Sequence, residues 1–136
     1  MKYLISAERP EYSVEQNRER SDQLATWLEV HLLAGNCTSV TEVAGVFEGM
    51  RKVNFMVTAD IEFMSNILDM GKAYEQDAII TINENGMAML FGNLHTRGLM
   101  FDVRLQATGQ ARTATERPDG DYTELPDGMY LVVDFE

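Results

Sequence analysis

The chain has 136 residues, 45% apolar and 24% charged, and its 22 acidic and 11 basic side chains give a formal charge of −11. That is enough for one domain with a real core and too little for two ordinary ones, so 1–136 is read as a single domain. The longest apolar run is five residues, against about 20 for a bilayer-spanning helix, and the acidity repels nucleic acid and anionic membrane.

Lys2 to Ala7 (KYLISA) reads as a first buried strand. An acidic helical pattern follows it where a signal peptide would need an apolar segment, so no leader is expected. Ser13, with Gln16 three residues on, forms a capping-box signature for a helix running to about Ala34, stopped by Gly35-Asn36. Cys37 is the only cysteine. It has no partner for an intrachain disulfide, and a reducing cytoplasm is the expected location.

Val43 to Phe47 and Lys52 to Val57 are two strands of a hairpin, and Thr58 or Asp60 caps a second helix ending near Tyr74. Ala78 to Ile82 is a further strand, and Asn83-Glu84-Asn85-Gly86 turns the chain into Met87 to Phe91. Leu99 to Leu105 alternates as a strand, residues 106–128 read as a long loop or β excursion, and Met129 to Phe135 is the last strand. This β-α-β-β-α-β order with extra C-terminal strands predicts an α+β two-layer sandwich, with helices on one side of a mostly antiparallel sheet. The other sheet face would then be covered by the extra strands or by a second subunit.

A phosphate-binding glycine loop, a dinucleotide fingerprint, a paired-histidine motif and a hydrolase serine elbow are all missing. No metal or organic cofactor is expected. Two polar clusters sit at predicted element ends. Ser6 to Arg9 faces the helix start Asn17-Arg18-Glu19-Arg20, where guanidinium forks could grip an acidic group or merely offset neighbouring glutamates. Tyr74-Glu75-Gln76-Asp77 precedes an apolar strand; acids are unfavourable at a helix C-terminus, so Glu75 and Asp77 stand out from an ordinary polar turn. Phe47-Glu48 adds an acid at a hairpin end.

These segments together resemble the small S-adenosylmethionine-degrading enzymes of bacteriophages. The likeness rests on Ile5-Ser6-Ala7-Glu8-Arg9, Asn17-Arg18-Glu19-Arg20, Gly45-Val46-Phe47-Glu48, and above all Tyr74-Glu75-Gln76-Asp77 before Ala78-Ile79-Ile80. It covers roughly residues 3–82. The resemblance implies a lyase that converts S-adenosylmethionine to 5'-methylthioadenosine and L-homoserine lactone, lowering the methyl donor of a host's restriction-modification system. It implies a ferredoxin-like sandwich similar to the nitrogen-regulatory signalling proteins, and a homotrimer with active sites between subunits in the host cytoplasm. Glu75 becomes the catalytic residue, and Tyr74, Gln76, Asp77, Ser6, Arg9, Arg18, Phe47 and Glu48 become substrate-binding candidates. Neither nucleic acid nor membrane is an expected partner. Two other readings stay open: a non-enzymatic acidic DNA mimic that blocks restriction, and a trimeric small-molecule sensor.

Overall fold

A computed structural model describes residues 1–92 and 104–136. The element order is β1 (Lys2–Ile5), α1 (Val14–Leu33), β2 (Ser39–Phe47), β3 (Met50–Thr58), a 3-10 turn (Ile61–Phe63), α2 (Met64–Ala73), β4 (Ala78–Ile82), β5 (Met87–Gly92), β6 (Arg104–Ala114), β7 (Tyr122–Glu124) and β8 (Tyr130–Phe135). The Ser13 capping box forms with both hydrogen bonds in place, and Gly35 ends α1 with φ +80°. Asp60 caps the 3-10 turn ahead of α2. Of the strand expected at Leu99 to Leu105, residues 99–103 lie outside the described residues.

The expected two-layer ferredoxin-like sandwich is overturned. Among the described residues, eight strands close into an antiparallel barrel in the order β1-β3-β2-β7-β8-β6-β5-β4. Closure is made largely by the segment read as a long loop or β excursion, which forms β7 and most of β6. β6 pairs with β5 on one side and β8 on the other, β8 pairs with β7, and β7 pairs with β2. The sheet face expected to need an outside cover is therefore turned inward on itself.

Strand alternation sorts the core into two parts. Tyr3 and Ile5 of β1, Phe55 and Val57 of β3 and Ile79 of β4 face outward, where Leu24 and Leu28 of α1 and Phe63 and Ile67 pack on them. Leu4, Ile82 and Ala88 face the lumen with Met56, Ile80 and Leu131 around them. This second cluster plugs one end of the barrel. At the other end arrive the β1–α1 loop, the β2–β3 turn, the α2–β4 turn and the start of β7. No helix among the described residues is long and apolar enough to cross a membrane.

Candidate active site

The unplugged end of the lumen holds a cavity of about 410 Å³, within the range of roughly 300–1,000 Å³ usual for small-molecule sites. Its apolar wall includes Leu4, Ile80, Leu90, Leu131 and Val133. Lys52 and Asn54 line it from β3, alternating with outward Phe55, and Ser6 lines it just past β1. Around the mouth stand Glu48, Asp77 and Asp121, with the rings of Phe47, Tyr122 and Phe135.

The polar groups are fixed by short local contacts. Ser6 Oγ donates to the Val53 carbonyl at 2.7 Å and accepts from the Glu8 amide at 3.2 Å. Gln76 is buried, its amide donating to the carbonyls of Glu8 at 3.2 Å and Tyr74 at 3.0 Å. Gly45, paired with Lys52 across β2–β3, is a glycine because the Asn54 amide occupies its side-chain space: a Cβ there would sit 2.5 Å from Asn54 Nδ2. The Glu48-Gly49 turn has both φ values positive, +51° and +79°, as a two-residue hairpin turn requires. Asp121 Oδ1 accepts the Glu48 amide at 2.9 Å, tying that turn to the start of β7. The Tyr122 hydroxyl is buried and has no hydrogen-bond partner among the described residues.

Among the described residues that line the lumen, Lys52 is the cation. Burial lowers its pKa from the ordinary lysine value, while the negative charge of Asp77 works in the opposite direction. Among the described residues no hydrogen bond or ion pair holds its ammonium. Arg9, also near the mouth, is fully occupied: it donates to Glu11, to the Glu75 carbonyl and to Asp77 at 3.4 Å.

The residues expected from sequence divide between this cavity and its outer support. Ser6, Phe47, Glu48, Gln76 and Asp77 line the cavity; Tyr74, Glu75, Arg9 and Arg18 do not. Glu75 takes a left-handed φ of +58°, and its carboxylate accepts from the Tyr12 hydroxyl at 3.0 Å and lies 3.7 Å from Arg20 Nη1. The Arg20 guanidinium sits over the rings of Tyr12 (4.5 Å) and Tyr74 (5.4 Å) and donates to the Ala7 and Tyr74 carbonyls. Arg18 is exposed on α1, away from this cluster. Sequence reasoning did not single out Lys52, Asn54, Asp121, Tyr122 or Phe135. Lys52 and Asn54 fall on the polar track of an alternating strand, which carries the same pattern whether that face meets solvent or a lumen.

Among the described residues, no set of three His, Cys, Asp or Glu side chains could hold a metal ion. The described residues can instead hold a ligand carrying both charge signs: carboxylates at the mouth for cationic groups, the Lys52 ammonium for an anion, and an apolar wall. In comparison with known proteins, the model of the S-adenosylmethionine lyase family matches residues 3–133. No curated protein matches the chain.

Proposed function

The chain belongs to the S-adenosylmethionine lyase family and is an S-adenosylmethionine-cleaving enzyme, and we propose that it performs the cleavage in the barrel lumen by intramolecular attack. The observation that carries the reading is the cavity itself, whose described lining brings together the Lys52 cation, the carboxylates of Glu48, Asp77 and Asp121 and an apolar wall. The substrate has the matching pattern: a carboxylate, an ammonium, a sulfonium and a flat adenine.

One carboxylate oxygen of the substrate forms a bond to its own Cγ. The Cγ–S bond breaks with its electron pair staying on sulfur, which leaves as the neutral thioether of 5'-methylthioadenosine. The five-membered ring that closes is L-homoserine lactone, and no proton changes place. The site must hold oxygen and Cγ at about 3–3.5 Å, in line with the departing sulfur. Positive and negative charge cancel along this path, so exclusion of water by Leu4, Ile80, Leu90 and Leu131 favours the transition state over the solvated substrate.

In this reading Asp77 and Glu48 meet the cationic groups, Phe47 with Tyr122 or Phe135 flanks the adenine, and Ser6 and Gln76 shape the polar wall. Glu75 fixes the 74–77 segment through Tyr12 and Arg20, so that Gln76 and Asp77 reach the cavity; Arg9 and Tyr74 belong to the same support. The exposed rings of Phe47 (43%) and Phe135 (36%) support a cover over the mouth. A homotrimer with active sites between subunits would supply it. Depletion of the methyl donor, and with it a blunted host restriction-modification system, is the proposed biological consequence in a phage-infected cytoplasm.

The test is incubation of purified protein with S-adenosylmethionine, followed by NMR over minutes. Methylthioadenosine with homoserine lactone is the expected product pair. Homoserine from the earliest time point would overturn the intramolecular step.

A further inference from the structure

We propose that Lys52 is the specificity-determining residue of the lumen, binding the carboxylate of the substrate and so rejecting analogues that lack one. This rests on the lumen being the substrate site.

The argument begins with the register. Lys52 pairs with Gly45 across β2–β3, and its neighbours two residues away, Met50 and Asn54, also line the cavity. Its side chain is therefore committed to the inner face, opposite a residue with no side chain. The three atoms nearest to that glycine's missing Cβ belong to Asn54 and Thr123, both lumen residues. Lys52 thus shares the inner face with Asn54 and lines the cavity.

Its charge is unspent. The ammonium has no ion pair or hydrogen bond among the described residues, whereas Arg9 is divided among Glu11, Asp77 and the Glu75 carbonyl. A half-buried, unpaired ammonium is a cost to the empty protein, and an anion entering the lumen removes that cost. The mouth presents Glu48, Asp77 and Asp121, which repel a ligand that is only anionic. The combination selects a zwitterion that enters with its carboxylate leading and its cations trailing.

Lysine also suits the chemistry better than arginine. A guanidinium fork engages both carboxylate oxygens, whereas an ammonium is a point charge that can hold one. The second oxygen is then left to attack Cγ. Lys52 supplies no electrons and moves no proton; it orients the nucleophile within the substrate.

The experiment compares S-adenosylmethionine with its decarboxylated analogue, which keeps the sulfonium and adenine but has no internal nucleophile. For Lys52→Met, confirmed as folded by its thermal melt, KM for S-adenosylmethionine should rise at least tenfold. The inhibition constant of the decarboxylated analogue should stay within twofold of wild type, and Lys52→Arg should recover part of the lost affinity. An unchanged KM, or an equal loss for both ligands, overturns the inference. Should Lys52→Met fail to fold, the wild-type Lys52 Cε resonance decides the matter. It should shift with sinefungin, which retains carboxylate and a cation, and not with the decarboxylated analogue. Labelled methyl groups of Leu90 and Leu131 separate the two levels of the argument. If neither ligand shifts them, the lumen reading itself falls. If they shift while the Lys52 comparison fails, only the role of Lys52 falls.

Discussion

Tyr12 donates its hydroxyl to Glu75 Oε1 at 3.0 Å, from the loop before α1 to a left-handed residue three positions ahead of β4. A non-glycine residue at φ +58° costs about 1–2 kcal/mol, so this conformation persists because Tyr12, Arg9 and Arg20 hold it. The carboxylate fixes the turn that presents Gln76 and Asp77 to the lumen. Glu75→Gln keeps the shape and loses the charge facing Arg20; Tyr12→Phe loses the donated hydrogen bond. Both should lower kcat/KM in the same direction, Glu75→Gln by as much as about 100-fold, the scale of a 1 Å misplacement in a reacting geometry. Severe loss in Glu75→Gln beside an unaffected Tyr12→Phe would mean that Glu75 touches the substrate directly.

Gly45 and Gly109 are both closely approached, and substitution should separate them. A Cβ at Gly45 meets the end of the Asn54 side chain, with Nδ2 at 2.5 Å and Cγ at 3.3 Å. The amide can swing away, into the cavity. Gly45→Ala should therefore leave the melting temperature nearly unchanged and raise KM. At Gly109 the added Cβ would lie 2.2 Å from the Asp134 carbonyl oxygen and 2.8 Å from Phe135 Cα, so the β6–β8 backbone must part. Overpacking of this kind costs about 1–3 kcal/mol, and thermal melts of the two variants check the contrast.

Alkaline titration should give two effects of opposite sign. Tyr3 is buried and donates to the Asp60 carbonyl at 2.7 Å, and burial, then the charge of Asp60, pushes its pKa up to about 12. Its folded pKa exceeds the unfolded value, so stability is present below about pH 10 and is lost as pH rises toward 12. Lys52 behaves inversely. Burial lowers its folded pKa, so its unpaired charge destabilises the empty protein below that value, and the cost fades as pH approaches the ordinary lysine value of about 10.4. Lys52→Met should accordingly raise the neutral-pH melting temperature of the empty protein, with a gain that shrinks in alkali. Denaturant titrations between neutral pH and pH 11 would read both; a gain that grows with pH would contradict the assignment for Lys52.

The first half of the chain was largely legible because its signals are local. Ser13 and Gln16 announce a cap, Asn83 to Gly86 announces a turn, and β4 occupies Ala78–Ile82 as its apolar pattern predicts. Closure was illegible because it depends on β6, RLQATGQARTA. Its lumen-facing positions pair Ala107 with Leu90, Gly109 with Phe135, and Ala111 with Val133. A barrel lumen accepts small residues where neighbouring strands contribute large ones, but in a linear sequence Ala, Gly, Thr and Arg in succession carry the signature of a loop. The site followed the same division. Gln76 and Asp77 were found through an unusual run at a helix end, whereas Lys52 becomes conspicuous only once the barrel turns its polar track inward.

The most direct test of the proposed chemistry is cleavage of S-adenosylmethionine in ¹⁸O-enriched water, with mass spectrometry locating the label in the amino-acid product. Intramolecular attack predicts unlabelled homoserine lactone, and any homoserine formed later by lactone opening should carry ¹⁸O in its carboxylate and none at the γ-hydroxyl. Homoserine labelled at the γ-hydroxyl would mean that water attacked Cγ, and would contradict the account.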